Sequence, residues 1–159
     1  MIHFPTDYDT IEVLMRVFNP ATYAKTRNFL DGNVSRLSPY ISRGVISTRR
    51  VYDSLIERGY RLEDIEKFVQ ELAWRDYWQT QWTFHGDKIN KDLRIKQKNY
   101  DKQGIPYSLA NTNLSIEQLN KSIAELYSTG YMHNHMRMYV ASTVCNVGKY
   151  HWLEPAKWM

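Results

Sequence analysis

Between Leu62 and Phe84 the chain holds no glycine and no proline, and Ile65, Phe68, Val69, Leu72, Trp78 and Trp82 recur at helical spacing. This predicts one long helix, the longest in the chain, and it commits the fold to helices packed on helices. No segment alternates apolar and polar residues as a half-buried strand does. The expected class is all-α.

Shorter helical stretches flank it. Residues 9–18 place Ile11, Leu14, Met15 and Phe18 at three- and four-residue steps. Pro20 opens a second short turn through Tyr23 to Phe29, ending near Gly32. Ser38 before Pro39 reads as a serine-capped start, stopped at Gly44, and Ser47 caps a helix bearing Val51, Leu55 and Ile56 that closes at Gly59. Residues 85–114 are polar and irregular, with Gly86, Gly104, Pro106 and six basic residues from Lys88 to Lys102. Such a long connection is uncommon in a compact domain and is often functional or mobile. Ser115 with Gln118 forms a candidate capping box for a helix through Tyr127, stopped by Gly130. Another helix covers His133 to Val147, and Glu154-Pro155 begins one more that the chain end at Met159 cuts short. With no repeat, low-complexity tract or linker, the 159 residues read as one domain, 1–159.

Composition narrows the classes. Hydrophobic residues at 43 % and charged ones at 24 % fit a globular chain that buries a core. No apolar run reaches the ~20 residues of a membrane span. The first twenty residues carry Asp7, Asp9 and Glu12, unlike a signal peptide. The expected location is therefore cytoplasmic. One cysteine, Cys145, excludes an intrachain disulfide and reads as buried filler, not as a catalytic thiol. The balance of 21 Lys+Arg against 17 Asp+Glu, net +4, is compatible with a nucleic-acid partner only where charge clusters.

Two stretches mix chemistry with grease on one face: Glu71-Leu-Ala-Trp-Arg-Asp-Tyr-Trp78 and Thr129-Gly-Tyr-Met-His-Asn-His-Met-Arg-Met138. An ordinary surface helix separates the two kinds of residue; pockets for planar ligands combine them. Glu71 and Arg75 stand four apart, either as a solvated pair or as groups whose partners lie on a neighbouring helix or an anionic ligand. Asn134, Arg137 and Met138 fall one turn apart. Arg137 can form paired bonds to a carboxylate or phosphate, and Asn134 can read a heterocycle edge unless it merely caps its helix. Ser35, Arg36 and Ser38 offer hydroxyls, a guanidinium and free amides to an anion. Metal binding is disfavoured, because His133 and His135 are two apart and point to different sides of a helix. No nucleophile elbow and no glycine-rich loop after a strand supports hydrolase or Rossmann chemistry.

These segments occur in one order: Tyr23 with Thr26-Arg27, Ser35-Arg-Leu-Ser-Pro-Tyr40 with Gly44, then the two mixed stretches, Val140-Ala-Ser142 and Trp152. Together they resemble the helical FAD-binding domain of the DNA photolyase and cryptochrome family, over about residues 20–159. The resemblance implies a multi-helical domain that binds FAD through Tyr23, Ser35, Arg36, Leu37, Ser38, Arg75 and Arg137. It implies that Trp74, Asn134 and Met138 face a pyrimidine dimer extruded from damaged DNA, with Glu71 bonding it as it takes up an electron. Trp152 matches the middle tryptophan of the electron relay. A monomer is implied. The family's N-terminal antenna domain and the acidic, asparagine-containing segment that completes the flavin pocket have no counterpart here. The expectation is a truncated domain that binds FAD weakly or not at all and does not repair DNA alone. A cryptochrome photoreceptor and a flavin-free helical module binding nucleic acid or protein are the alternatives.

Overall fold

The computed structural model describes residues 3–159. Among the described residues the chain is all-α: no strand forms, and the only β pairing is an isolated parallel bridge between Lys102 and Tyr150. Its backbone divides into two compact units, residues 4–84 and residues 85–159.

In the first unit, α1 (Tyr8–Val17) starts where the Asp7 carboxylate accepts the Thr10 amide at 2.8 Å. A 3₁₀ turn, Pro20–Thr22, leads into the single turn α2 (Tyr23–Thr26). α3 (Ser38–Ser42) follows, then α4 (Thr48–Glu57) and the long α5 (Leu62–His85). Ser47 caps α4 as its sequence indicates, accepting from the Arg50 amide at 2.9 Å. Ser38 does not cap α3. Arg36 sits at φ 54°, so the chain has already turned, and Leu37 occupies the cap position in helical conformation with no side-chain bond. The core joins Ile11 and Met15 of α1, Leu37, Tyr40, Val51 and Leu55 with Ile65, Phe68 and Leu72 of α5. α1 and α4 are clasped by Arg50, whose Nη2 lies 2.7 Å and Nε 3.1 Å from the Glu12 carboxylate. Arg58 donates to the main-chain oxygens of Met15 and Phe18, satisfying the end of α1.

Only the first half of α5 is core. Trp78 and Trp82 continue its spacing but are 59 % and 60 % exposed. The helix therefore carries an aromatic ladder in which Trp74 stacks on Trp78 at 6.3 Å and meets Tyr77 edge-on at 5.5 Å.

In the second unit the irregular segment contains a 3₁₀ turn, Gly86–Asn90, and a single-turn helix, α6 (Tyr107–Ala110), that its polar sequence did not indicate. α7 (Glu117–Thr129) ends on Gly130 at φ 73°, the left-handed conformation glycine adopts without cost. Its start is not the expected capping box: Ile116 holds the cap position with no side-chain bond. Instead the Asn120 amide reaches back, bonding both the amide and the carbonyl of Leu114 at 2.9 Å. The helix expected over 133–147 is α8 (Asn134–Ser142) followed by a π turn, Thr143–Val147. His133, not Asn134, caps α8, its Nδ1 accepting the His135 amide at 3.2 Å. α9 (Leu153–Trp158) closes the unit. The core is Leu109, Leu119, Ile123, Met132, Met136, Val140 and Val144; Cys145 packs against it, and burial raises its thiol pKa.

Candidate functional site

Eight of the expected site residues lie in the first unit. Tyr23 opens α2 with its ring edge-on to Phe68 at 5.2 Å and to Phe18 at 6.3 Å, and burial raises its phenol pKa. One turn on, Arg27 lies over that ring, 6.0 Å from its centroid, and its Nη1 donates to Glu71 Oε1 at 2.7 Å. Lys67, one turn before Glu71, reaches the same oxygen at 3.3 Å. Glu71 thus finds its partner across the core in Arg27, not four residues along in Arg75. Arg75 turns to the Ser42 hydroxyl of α3 instead.

Trp74 is 51 % exposed on the aromatic face of α5, free to stack on a planar guest. The expected phosphate contacts separate into two kinds. Ser35 is half-buried with its hydroxyl accepting the Leu37 amide at 3.4 Å, and Arg36 and Ser38 are exposed. The Leu37 side chain, only 1 % exposed, fills the core, so this residue offers a ligand its backbone alone.

The other four lie in the second unit. Asn134 begins α8 and is exposed, and Met138, one turn later, is 62 % exposed. Between them Arg137 is half-buried, its guanidinium held by the main-chain oxygens of Met159 at 2.8 Å and Met132 at 3.4 Å. Desolvation lowers its pKa from the usual arginine value. Trp152 precedes α9, and its indole N–H donates to Asp92 Oδ1 at 2.6 Å. Its backbone amide donates to the Gln97 side chain at 2.9 Å, which in turn donates to the Tyr150 carbonyl at 3.0 Å. Sequence reasoning gave Arg27, Ser42, Asp92 and Gln97 no role. Arg27 carried one usable signal, its four-residue step from Tyr23; the others pair over 33 to 60 residues of sequence, which no local pattern reveals.

The three arginines expected at the cofactor share a property. Arg36, Arg75 and Arg137 have no Asp or Glu carboxylate within 4 Å among the described residues, a property they share with Arg43, Arg58 and Arg94, and Arg137 is held by oxygens of Met132 and the terminal Met159. Arg16, Arg27, Arg49, Arg50 and Arg61 each have a carboxylate within 4 Å. Guanidinium groups are donors of the kind that a diphosphate and the carbonyls of a flavin take up, so the chemistry of these side chains, unit by unit, is of the type that cofactor needs. Two open hollows, one along α7 at Gln118, Lys121 and Glu125 and one on α1 at Tyr8, Glu12 and Arg16, contain none of the expected residues. Among the described residues no group of three or more His, Cys, Asp or Glu is placed to hold a metal ion. Among the described residues no helix is long and apolar enough to cross a membrane.

No family model matches the chain, and no solved structure does. Curated proteins do. The deoxyribodipyrimidine photo-lyase of Alkalihalophilus pseudofirmus is 30 % identical over 113 residues, 68 % of this chain and 23 % of that protein. The cryptochrome DASH of Natronomonas pharaonis is 32 % identical over 133 residues, 79 % of this chain and 28 % of its own length. The chloroplastic/mitochondrial cryptochrome DASH of Ostreococcus tauri is 30 % identical over 150 residues, 87 % of this chain and 27 % of its length. The chain spans about a quarter of the length of these relatives. In sequence, and in the all-α architecture that sequence adopts, it belongs to the photolyase and cryptochrome family.

Proposed function

We propose that this chain is the part of a photolyase-type flavoprotein that holds FAD and presents it to a cyclobutane pyrimidine dimer in DNA. FAD, when bound, supplies light absorption and the transferable electron. The chain's residues supply position. Arg36 and Arg75, with the Ser35 and Ser38 hydroxyls and the Tyr23 phenol, bind the diphosphate and ribityl portion, and Arg137 donates to the ring. By resemblance, Trp74 in the first unit stacks on the extruded lesion, Asn134 and Met138 in the second are lesion contacts, and Glu71, steadied by Arg27 and Lys67, hydrogen-bonds the base. Trp152 is the electron-relay position.

The observation that carries this reading is the 30–32 % identity to photo-lyase and cryptochrome DASH relatives over 68–87 % of the chain, and the guanidinium donors at Arg36, Arg75 and Arg137 support it. Its test is equilibrium dialysis of the purified chain against FAD, with free diphosphate as competitor. Weak, saturable binding is expected, falling about tenfold in Arg75→Ala and Arg137→Ala, the loss of one charge-assisted contact. Binding that ignores both substitutions overturns the assignment.

A second reading, a flavin-free nucleic-acid module, is favoured by one feature. Lys91, Arg94, Lys96 and Lys98 are all exposed on a segment tied down at both ends, with the Gln97 amide donating to Asp92 at 3.1 Å. A DNA complex that forms in the complete absence of flavin and is indifferent to dimers would select it.

A further inference from the structure

The chain has five tryptophans, and two half-buried ones invite comparison. Trp158 donates its indole N–H to a neutral group, the Tyr127 hydroxyl, at 3.2 Å. Trp152 donates to a carboxylate oxygen of Asp92 at 2.6 Å. No other tryptophan among the described residues meets a carboxylate through its N–H.

Asp92 is itself fixed. Its second oxygen accepts the Gln97 amide at 3.1 Å, and Gln97 is bonded to the main chain at both Tyr150 and Trp152. The anion therefore cannot swing away from the indole without dismantling the segment. Donation from Trp152, then from the Gln97 amide, holds its carboxyl below the usual carboxylate range, so at neutral pH a full negative charge faces the ring.

Removing one electron from an indole leaves a cation whose charge is shared with the ring N–H. A carboxylate hydrogen-bonded there stabilises the cation far more than the neutral ring, because the bond becomes charge-assisted on both sides. We infer that Asp92 makes Trp152 more readily oxidised than Trp158, its half-buried counterpart, a site of one-electron donation built from the 2.6 Å indole–carboxylate pair. In the step, the indole gives a single electron to a one-electron oxidant, which is reduced by one. No covalent bond breaks, and the proton stays between Nε1 and Oδ1. Asp92 acts through Trp152 and is a positioning residue. The use of this site as a relay to flavin rests on the function proposed above; its ease of oxidation does not.

The test separates the two. The full chain, without flavin, is photo-oxidised mildly in aerated buffer by a ruthenium polypyridyl complex with a sacrificial acceptor. Dissolved oxygen traps the indole radicals, and peptide mass spectrometry reads the oxidation at each tryptophan. Trp152 is expected to be oxidised well ahead of Trp158, its half-buried counterpart with a neutral partner. In Asp92→Asn, which keeps an acceptor but removes the charge, the Trp152-to-Trp158 ratio falls about tenfold, the factor between a charge-assisted and a neutral hydrogen bond. Gln97→Ala loosens the segment while keeping the charge, and it separates a merely structural role from the electrostatic one. Equal oxidation of Trp152 and Trp158 in the native chain, or an unchanged ratio in a folded Asp92→Asn variant, overturns the inference. A Gln97→Ala variant that matches Asp92→Asn does so too. A positive result beside FAD binding that ignores Arg75→Ala and Arg137→Ala leaves the inference standing and the flavin assignment overturned.

Discussion

Glu71 shows how one side chain can be read correctly in kind and incompletely in company. Its setting among Phe68, Leu72 and Trp74 demanded a partner, because a half-buried carboxylate without one is costly. The local candidate was Arg75, yet the pair forms with Arg27, 44 positions away, at 2.7 Å. Tertiary packing decides this: Tyr23 docks edge-on against Phe68 and brings Arg27, one turn further on, over the carboxylate. With side chains 28 % and 32 % exposed, the pair is worth about 1 kcal/mol. A double-mutant cycle of Arg27→Ala and Glu71→Gln in urea unfolding should return a coupling of that size. The same cycle between Glu71 and Arg75 should return nothing measurable.

Helices were legible where periodicity ran long, and obscure where a turn was short or a cap lay far off in space. The uninterrupted pattern from Leu62 to Phe84 became α5, and Ser47 started α4 and Gly130 ended α7 as their chemistry requires. The single turn α6 has too few residues to show a period, and the π turn after α8 continues a helical pattern with a different hydrogen-bond step. The start of α7 makes the point testable. Ser115 and Gln118 match a capping box in sequence, but Asn120 makes the bonds, so Ser115→Ala should leave urea stability within ~0.5 kcal/mol while Asn120→Ala costs about 1–2 kcal/mol. The α1–α4 clasp gives a pH signature. Arg50 first, and then Tyr8, hold the Glu12 carboxyl below its ordinary value. Its contribution, about 1–3 kcal/mol for a bond between charged groups, is therefore complete at neutral pH. It starts to fall as pH drops below the unfolded carboxyl's value and is lost as pH passes through the lowered folded one. Denaturation followed from pH 7 downward should show that loss in the native chain, and Glu12→Gln should remove this component while being less stable at pH 7.

For the whole molecule, net charge said little and placement says more. A surplus of four positive charges over 159 residues is too diffuse to bind a polyanion by itself. The sequence showed that six basic residues gather between Lys88 and Lys102, but not whether that stretch was a solvated tether or a surface. Asp92, Gln97 and the Lys102–Tyr150 bridge answer this, fixing the segment at several points while Lys91, Arg94, Lys96 and Lys98 stay exposed. A fixed cationic surface loses less side-chain and backbone entropy on meeting a phosphate chain than a mobile one. If all four cations meet phosphates of duplex DNA, they release counterions and contribute about −3.6 to the slope of log affinity against log salt. Replacing the four by glutamine should flatten the slope by roughly that amount and weaken binding alike for damaged and undamaged duplexes, since phosphate contacts carry no base information. On the proposed function, replacing Trp74 should act the other way, reducing any preference for the dimer while leaving the salt slope intact. Fluorescence anisotropy across a salt series with both oligonucleotides resolves the two effects, and a slope untouched by the four replacements would remove this segment from the DNA-binding surface.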